Sequence, residues 1–189
     1  MNYLAIHQQK LLICGELREV IAYVKSIKDD IEPIVVERDS CRRIEIDWHG
    51  DLEQVLLQLP AELDGQPQPV KRGRPKLGVV SKEVTLLPRH WDWLANQRGG
   101  ASVTLRRLVE MAQRNATVED RITLKQQQLD KFMLLFLGDS PGFEEAGRAL
   151  YRNSRVGFVA AIADWPDEIQ DFVLEKFTEI SRLHEGEAA

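Results

Sequence analysis

Apolar residues recur with two different periods along the first sixty positions of the chain. The short runs Tyr3-Leu4-Ala5-Ile6 and Leu11-Leu12-Ile13-Cys14 flank the polar His7-Gln8-Gln9-Lys10, a pattern that predicts two strands joined by a turn. Leu17, Val20, Ile21, Val24 and Ile27 follow at spacings of three and four, which places them on one face of a helix over residues 16–28. Pro33–Glu37 and Arg43–Trp48 read as two further strands, the second alternating with period two, and Arg38–Arg42 reads as the turn between them. Gly50 and Asp51 introduce a short helix carrying Leu52, Val55, Leu56 and Leu59. The predicted order is strand-strand-helix-strand-strand-helix.

The pattern then stops. Pro60, Gly65, Pro67, Pro69, Gly73, Pro75 and Gly78 punctuate a stretch with few large apolar side chains, the composition of a linker. Ser81–Leu87 reads as one short strand ended by Pro88, and Pro88–Gln97 as a helix with proline in its first turn. Arg98-Gly99-Gly100-Ala101 breaks that helix, and Ser102 is the expected N-cap of another over 103–114, with Leu105, Leu108, Val109 and Ala112 as its apolar stripe. From about residue 116 the spacing is helical throughout. Val118, Ile122, Leu129, Phe132, Met133 and Phe136 share one face, and Ser140-Pro141 and Asp164-Trp165-Pro166 mark two further helix starts. Three or four helices ending near Leu183 are expected, with their Phe and Trp residues in a core. The fold class is α+β: a small mixed α/β unit over 1–60, a basic linker over 61–80, a strand-helix-helix segment over 81–115 and a helical domain over 116–185.

Composition narrows the class. Of 189 residues 43% are hydrophobic and 29% charged, which fits a soluble globular protein rather than a disordered one. No apolar run approaches the roughly 20 residues that span a bilayer. Met1–Lys10 has no basic region followed by a long apolar core, so no secretory signal is expected. Cys14 and Cys41 make no disulfide framework and are expected as free thiols, each packed as a small apolar side chain. The expected location is cytoplasmic, with no membrane partner.

Charge changes the picture more. The net charge of −5 is unevenly spread: residues 1–70 carry −6, residues 71–115 carry +7 and residues 116–189 carry −6. A basic centre between acidic flanks points either to a localised polyanion site or to flanks that neutralise the centre. The centre opens with Lys71-Arg72-Gly73-Arg74-Pro75-Lys76, which resembles an AT-hook, the motif that enters the minor groove of A·T-rich duplex. The residue types suit that role. Gly73 lets the backbone approach the groove floor, and Arg72 and Arg74 extend along the narrow, electronegative groove. Pro75 keeps the exit extended, while Lys71 and Lys76 meet phosphates on the rims. Guanine would project its N2 amino group into that floor, hence the expected A·T preference.

The segment that follows, through Ser102-x-x-Leu105-Arg106-Arg107-Leu108-Val109, resembles the ribbon-helix-helix fold of bacterial repressors and antitoxins. The resemblance implies two chains pairing their strands into a ribbon for the major groove, hence a homodimer through the central strand. It also implies a second helix whose N-terminus approaches phosphate. Lys82, Arg106 and Arg107 are its candidate DNA contacts. The strand departs from the family pattern at Leu86-Leu87, where polar–apolar alternation fails. The central run Leu77–Ala112, with the hook before it, also resembles a bacterial family of uncharacterised proteins, a likeness that covers most of the chain and implies no activity.

Other chemistry is sparse. His7, His49, His90 and His184 are scattered and have no metal-ligand spacing with the cysteines. No glycine-rich phosphate loop or nucleophile elbow occurs. Glu144/Glu145 and Asp164/Asp167 read as helix-start acids. Arg148, Arg152 and Arg155 form either a second anion patch or a solvated helix face. The sequence therefore predicts a non-enzymatic DNA-binding protein, a transcriptional regulator or nucleoid-associated factor, with no cofactor. The alternative is a protein-interaction or dimerisation module whose basic centre docks on an acidic partner.

Overall fold

Strand β1 (Tyr3–His7) has four consecutive buried residues, and the alternation of side chains along a strand explains why. Tyr3 and Ala5 face one apolar layer, while Leu4 and Ile6 face another on the opposite side of the sheet. The computed structural model describes residues 1–27, 31–60, 63 and 82–186. Beside β1 lies β2 (Lys10–Gly15), then on the other side β3 (Ile34–Glu37) and β4 (Arg43–Ile44), giving an antiparallel sheet of order β2-β1-β3-β4. With α1 (Leu17–Ser26) and α2 (Leu52–Gln58), the elements follow the predicted order and make an α+β fold.

The first layer belongs to α1 and α2. Leu17, Val20, Ile21 and Val24 of α1 pack with Tyr3, Ala5, Val35 and Ile44, and Val55 of α2 closes the cluster. Both helices start on reciprocal caps: Glu19 Oε2 accepts from the Glu16 N–H at 3.1 Å, and Asp51 and Gln54 accept from each other's N–H at 2.9 and 3.1 Å. Lys25 Nζ donates to the Trp48 carbonyl and, at 2.9 Å, to that of Gly50, tying α1 to the loop before α2.

The strand predicted over Arg43–Trp48 pairs only at Arg43 and Ile44. Side-chain alternation continues, with Trp48 buried and Glu45 and Asp47 exposed, but the ladder does not. Val35 faces Ile44, so Ile46 would fall opposite Pro33, which has no N–H to donate. The Trp48 indole N–H instead donates to the Pro33 carbonyl at 3.2 Å.

The second face of the sheet is covered by the C-terminal helices α5 (Val118–Leu137), α6 (Phe143–Tyr151), α7 (Arg155–Ala161) and α8 (Asp167–His184). Leu4, Ile6, Val36 and Cys41 share one cluster with Leu129, Phe132, Met133, Phe172 and Phe177. Phe132 lies 4.8 Å from Phe136 and 4.7 Å from Phe172 between ring centroids, tilted as aromatic pairs prefer. The described residues of 1–68 and 118–189 accordingly form one compact unit and those of 69–117 another. This replaces the predicted division into separate domains over 1–60 and 116–185. A sheet apolar on both faces cannot stand with one of them bare.

Two of the predicted helix starts move by two or three residues. α6 begins after Gly142 rather than at Ser140-Pro141; Gly142 has φ +79, and a Cβ there would stand 2.0 Å from the Ala161 carbonyl oxygen. α8 begins after Pro166, because Trp165 is drawn into the core, where its indole donates to the Pro141 carbonyl at 2.8 Å.

Polar contacts bind the β3–β4 turn to the helices. Arg38 pairs with Glu175 of α8 at 2.5–2.7 Å, and Glu179 accepts from both Lys125 and Lys176 at 3.1 and 3.0 Å. Burial opposes the ionised Glu179 carboxylate, but the bonds and charges of those two lysines outweigh it and hold its pKa below the usual value. Both cysteines are free thiols. Cys41 is buried as expected, whereas Cys14 is exposed on the edge strand β2. Burial pushes the Cys41 thiol up to about 11, only partly countered by Lys176 and Lys125. A thiol reagent at neutral pH is therefore expected to label Cys14 in the native protein and Cys41 only after denaturation. Two thiols reacting natively at similar rates would contradict that burial.

Candidate nucleic-acid interface

The central unit is built on α3 (Pro88–Ala95) and α4 (Gly100–Arg114). Pro88 begins α3 at the position where a missing N–H costs nothing, with Leu87 as its N-cap. The helices are separated by a four-residue turn, Asn96 to Gly99, in which Gly99 takes φ +94. A Cβ at Gly99 would crowd Val103 Cγ1 at 3.1 Å, so both conformation and space favour glycine there. α4 consequently starts two residues before the predicted Ser102 cap, and Ser102 lies exposed in its first turn.

Of the predicted DNA contacts, Lys71, Arg72, Gly73, Arg74, Pro75 and Lys76 lie outside the described residues. Lys82 is exposed in the lead to α3. The strand predicted over 81–87 forms no ladder across its described residues, 82–87, because none of the described chain lies beside it as a pairing partner. Arg106 and Arg107 are both exposed on α4, and Arg106 Nε donates to the Ser102 carbonyl at 3.2 Å. At 100° per residue, Arg106, Arg107, Glu110, Gln113 and Arg114 share one side of this helix.

The structure adds three cations to those singled out from the sequence. Arg89, Arg98 and Arg114 are exposed with Lys82, Arg106 and Arg107, against only Glu83, Asp92 and Glu110 over the same residues. None of the six takes part in a salt bridge among the described residues. Segment charge alone was the signal that could have named them. In the larger unit Arg38, Arg42, Arg43, Lys125, Arg148 and Lys176 pair with carboxylates, whereas Lys10, Arg121, Lys131, Arg152 and Arg182 form no salt bridge among the described residues. Of the second anion patch weighed from the sequence, Arg148 alone is paired with carboxylates among the described residues. Arg148 lies against Glu144 and Glu145, and Arg155 donates to Thr178 Oγ1 at 3.1 Å. Arg152 lines an open groove of about 470 Å³ between α6 and α7.

Burial in the central unit is slight. Leu94 at 3% and Thr104 at 1% exposure are its buried side chains among the described residues, and Thr104 Oγ1 has no hydrogen-bond partner there. The predicted core stripe of α4 is buried only at its start: Leu105 is half-buried, while Leu108, Val109 and Ala112 are exposed. No cluster of metal-ligating side chains occurs, and no helix is long and apolar enough to cross a membrane, among the described residues.

An α+β unit interrupted by a small basic helical hairpin thus describes the chain. Residues 2–176 match the model of a family described as an uncharacterized protein conserved in bacteria (DUF2239), and the chain belongs to that family. No curated protein and no solved structure matches it.

Proposed function

We propose that the chain is a non-enzymatic, DNA-binding protein of bacteria, a regulator or nucleoid-associated factor that grips A·T-rich duplex through its basic centre. The observation that carries this reading is the set of six exposed cations on residues 82–114 without a salt bridge among the described residues, directly following the Lys71–Lys76 hook. Cations engaged by carboxylates would first have to give up those partners; unpaired ones meet phosphate at no such cost. In this reading Arg72 and Arg74 read groove width, Lys71 and Lys76 meet the rims, and Lys82, Arg106 and Arg107 hold backbone phosphates.

Titration of A·T-rich against G·C-rich duplex at several salt concentrations tests it. With the seven net charges of residues 71–115 engaged, log affinity is expected to fall with log salt at a slope of about −6, with A·T-rich duplex bound more tightly. Binding indifferent to salt, or equal for the two duplexes, overturns the reading.

A further inference from the structure

We propose that Trp93 and Arg89, neighbours on the surface of α3, form a stacking site for an unpaired base, so that the central unit also holds single-stranded DNA. The four tryptophans of the chain divide into two pairs. Trp48 and Trp165 are buried, and each donates its indole N–H to a proline carbonyl, at 3.2 and 2.8 Å. Trp91 and Trp93 are 43% and 51% exposed, and neither indole N–H has a hydrogen-bond partner among the described residues. A half-exposed tryptophan keeps a large apolar ring in water, and it is among the residue types most enriched where a surface makes its strongest contacts.

The two exposed rings differ in position. Trp91 lies about 60° around the helix from buried Leu94 and borders the covered side, whereas Trp93 lies about 100° away and Arg89 about 140°. The open side of α3 therefore carries a guanidinium and an indole at i and i+4, which are neighbours on a helix surface. Arg89 is exposed without a salt bridge among the described residues, and its Nε lies 3.5 Å from His90 Nε2. A strand with unpaired bases needs this combination: a ring to stack on, and a cation beside it for the adjoining phosphate. Charge complementarity names the occupant. Lys82, Arg98, Arg106, Arg107 and Arg114 share the exposure of Arg89 and its lack of a salt bridge, so a polyanion with ring faces satisfies both the charge and the indole. Bases inside a duplex are stacked on one another and offer Trp93 no face. The site thus goes beyond the duplex reading and does not use the hook.

The test is titration of the full chain with oligothymidylate, followed by tryptophan emission and by the anisotropy of the labelled oligonucleotide. Stacking on Trp93 is expected to quench emission. Trp93→Ala should abolish most of that quenching and weaken binding about 5- to 150-fold, the range for one lost base–aromatic stack. Trp93→Phe, which keeps a ring, should retain much of the affinity, and Arg89→Ala should make the salt slope shallower by about 0.7. Both side chains are exposed, so the helical circular-dichroism signal should stay in all three variants. Trp93→Ala should keep its A·T preference on duplex, and Arg72→Ala with Arg74→Ala should keep the quenching by oligothymidylate. A failure of the duplex reading therefore leaves this one standing. Unchanged affinity in Trp93→Ala, or polyphosphate bound as tightly as oligothymidylate, overturns the stacking site. Tighter binding of oligouridylate overturns its assignment to DNA.

Discussion

Replacing Phe132 by alanine is expected to destabilise the larger unit by about 3–5 kcal/mol, the ordinary cost of emptying a buried aromatic site. Phe132 is 1% exposed and contacts the rings of both Phe136 and Phe172, so its removal opens a cavity bounded by α5 and α8. The same cluster holds Leu4, Ile6 and Val36 of the sheet. Sheet and helices should therefore lose stability together. Thermal unfolding followed by the near-ultraviolet signal and by the far-ultraviolet signal should shift by the same amount. A variant whose sheet and helices melt at separate temperatures, or whose midpoint hardly moves, would show that the two flanks do not share one core.

The second large effect concerns the hook. Arg72→Ala with Arg74→Ala should weaken binding of A·T-rich duplex on the order of 100-fold, taking about 1.4 kcal/mol for each lost contact. Removing two cations should also make the salt slope shallower by about 2, and the A·T preference should vanish. Arg106→Ala with Arg107→Ala is expected to behave differently, weakening A·T-rich and G·C-rich duplex alike, because phosphate contacts carry no sequence information. Competition binding with the two duplexes measures both effects. If the Arg72/Arg74 variant keeps its preference for A·T, groove reading does not reside in this motif.

The elements of the first sixty residues were legible because each rests on a local pattern: a period of three to four for α1, and short apolar runs or, over Arg43–Trp48, a period of two for the strands. The runs Tyr3–Ile6 and Val35-Val36 already carried the mark of burial on both faces. What they could not disclose is which segment supplies the second cover, since a strand's pattern is the same whether its far face meets a neighbouring helix or one eighty residues on. The C-terminal helices were accordingly read as their own domain. The end of β4 escaped for a different reason: Arg43–Trp48 alternates well by itself, and only its partner's Pro33 stops the ladder. In the candidate site the cations could be counted from the sequence, but that Lys82, Arg89, Arg98, Arg106, Arg107 and Arg114 form no salt bridge among the described residues is a spatial fact. The bareness of Leu108 and Val109 was illegible too, because an apolar stripe on α4 reads alike whether its own chain or another covers it.

The route of the chain through its larger unit bears on how the molecule is made. The sheet and α1 leave the ribosome first, yet Leu4, Ile6 and Val36 meet their cover only when α5 and α8 follow. At roughly 5–20 residues per second, translation of residues 60–184 keeps that apolar face uncovered for on the order of ten seconds. During that interval the basic centre is synthesised. The protein's most vulnerable state is thus a nascent one, with an open sheet face at one end and cations already complete at the other.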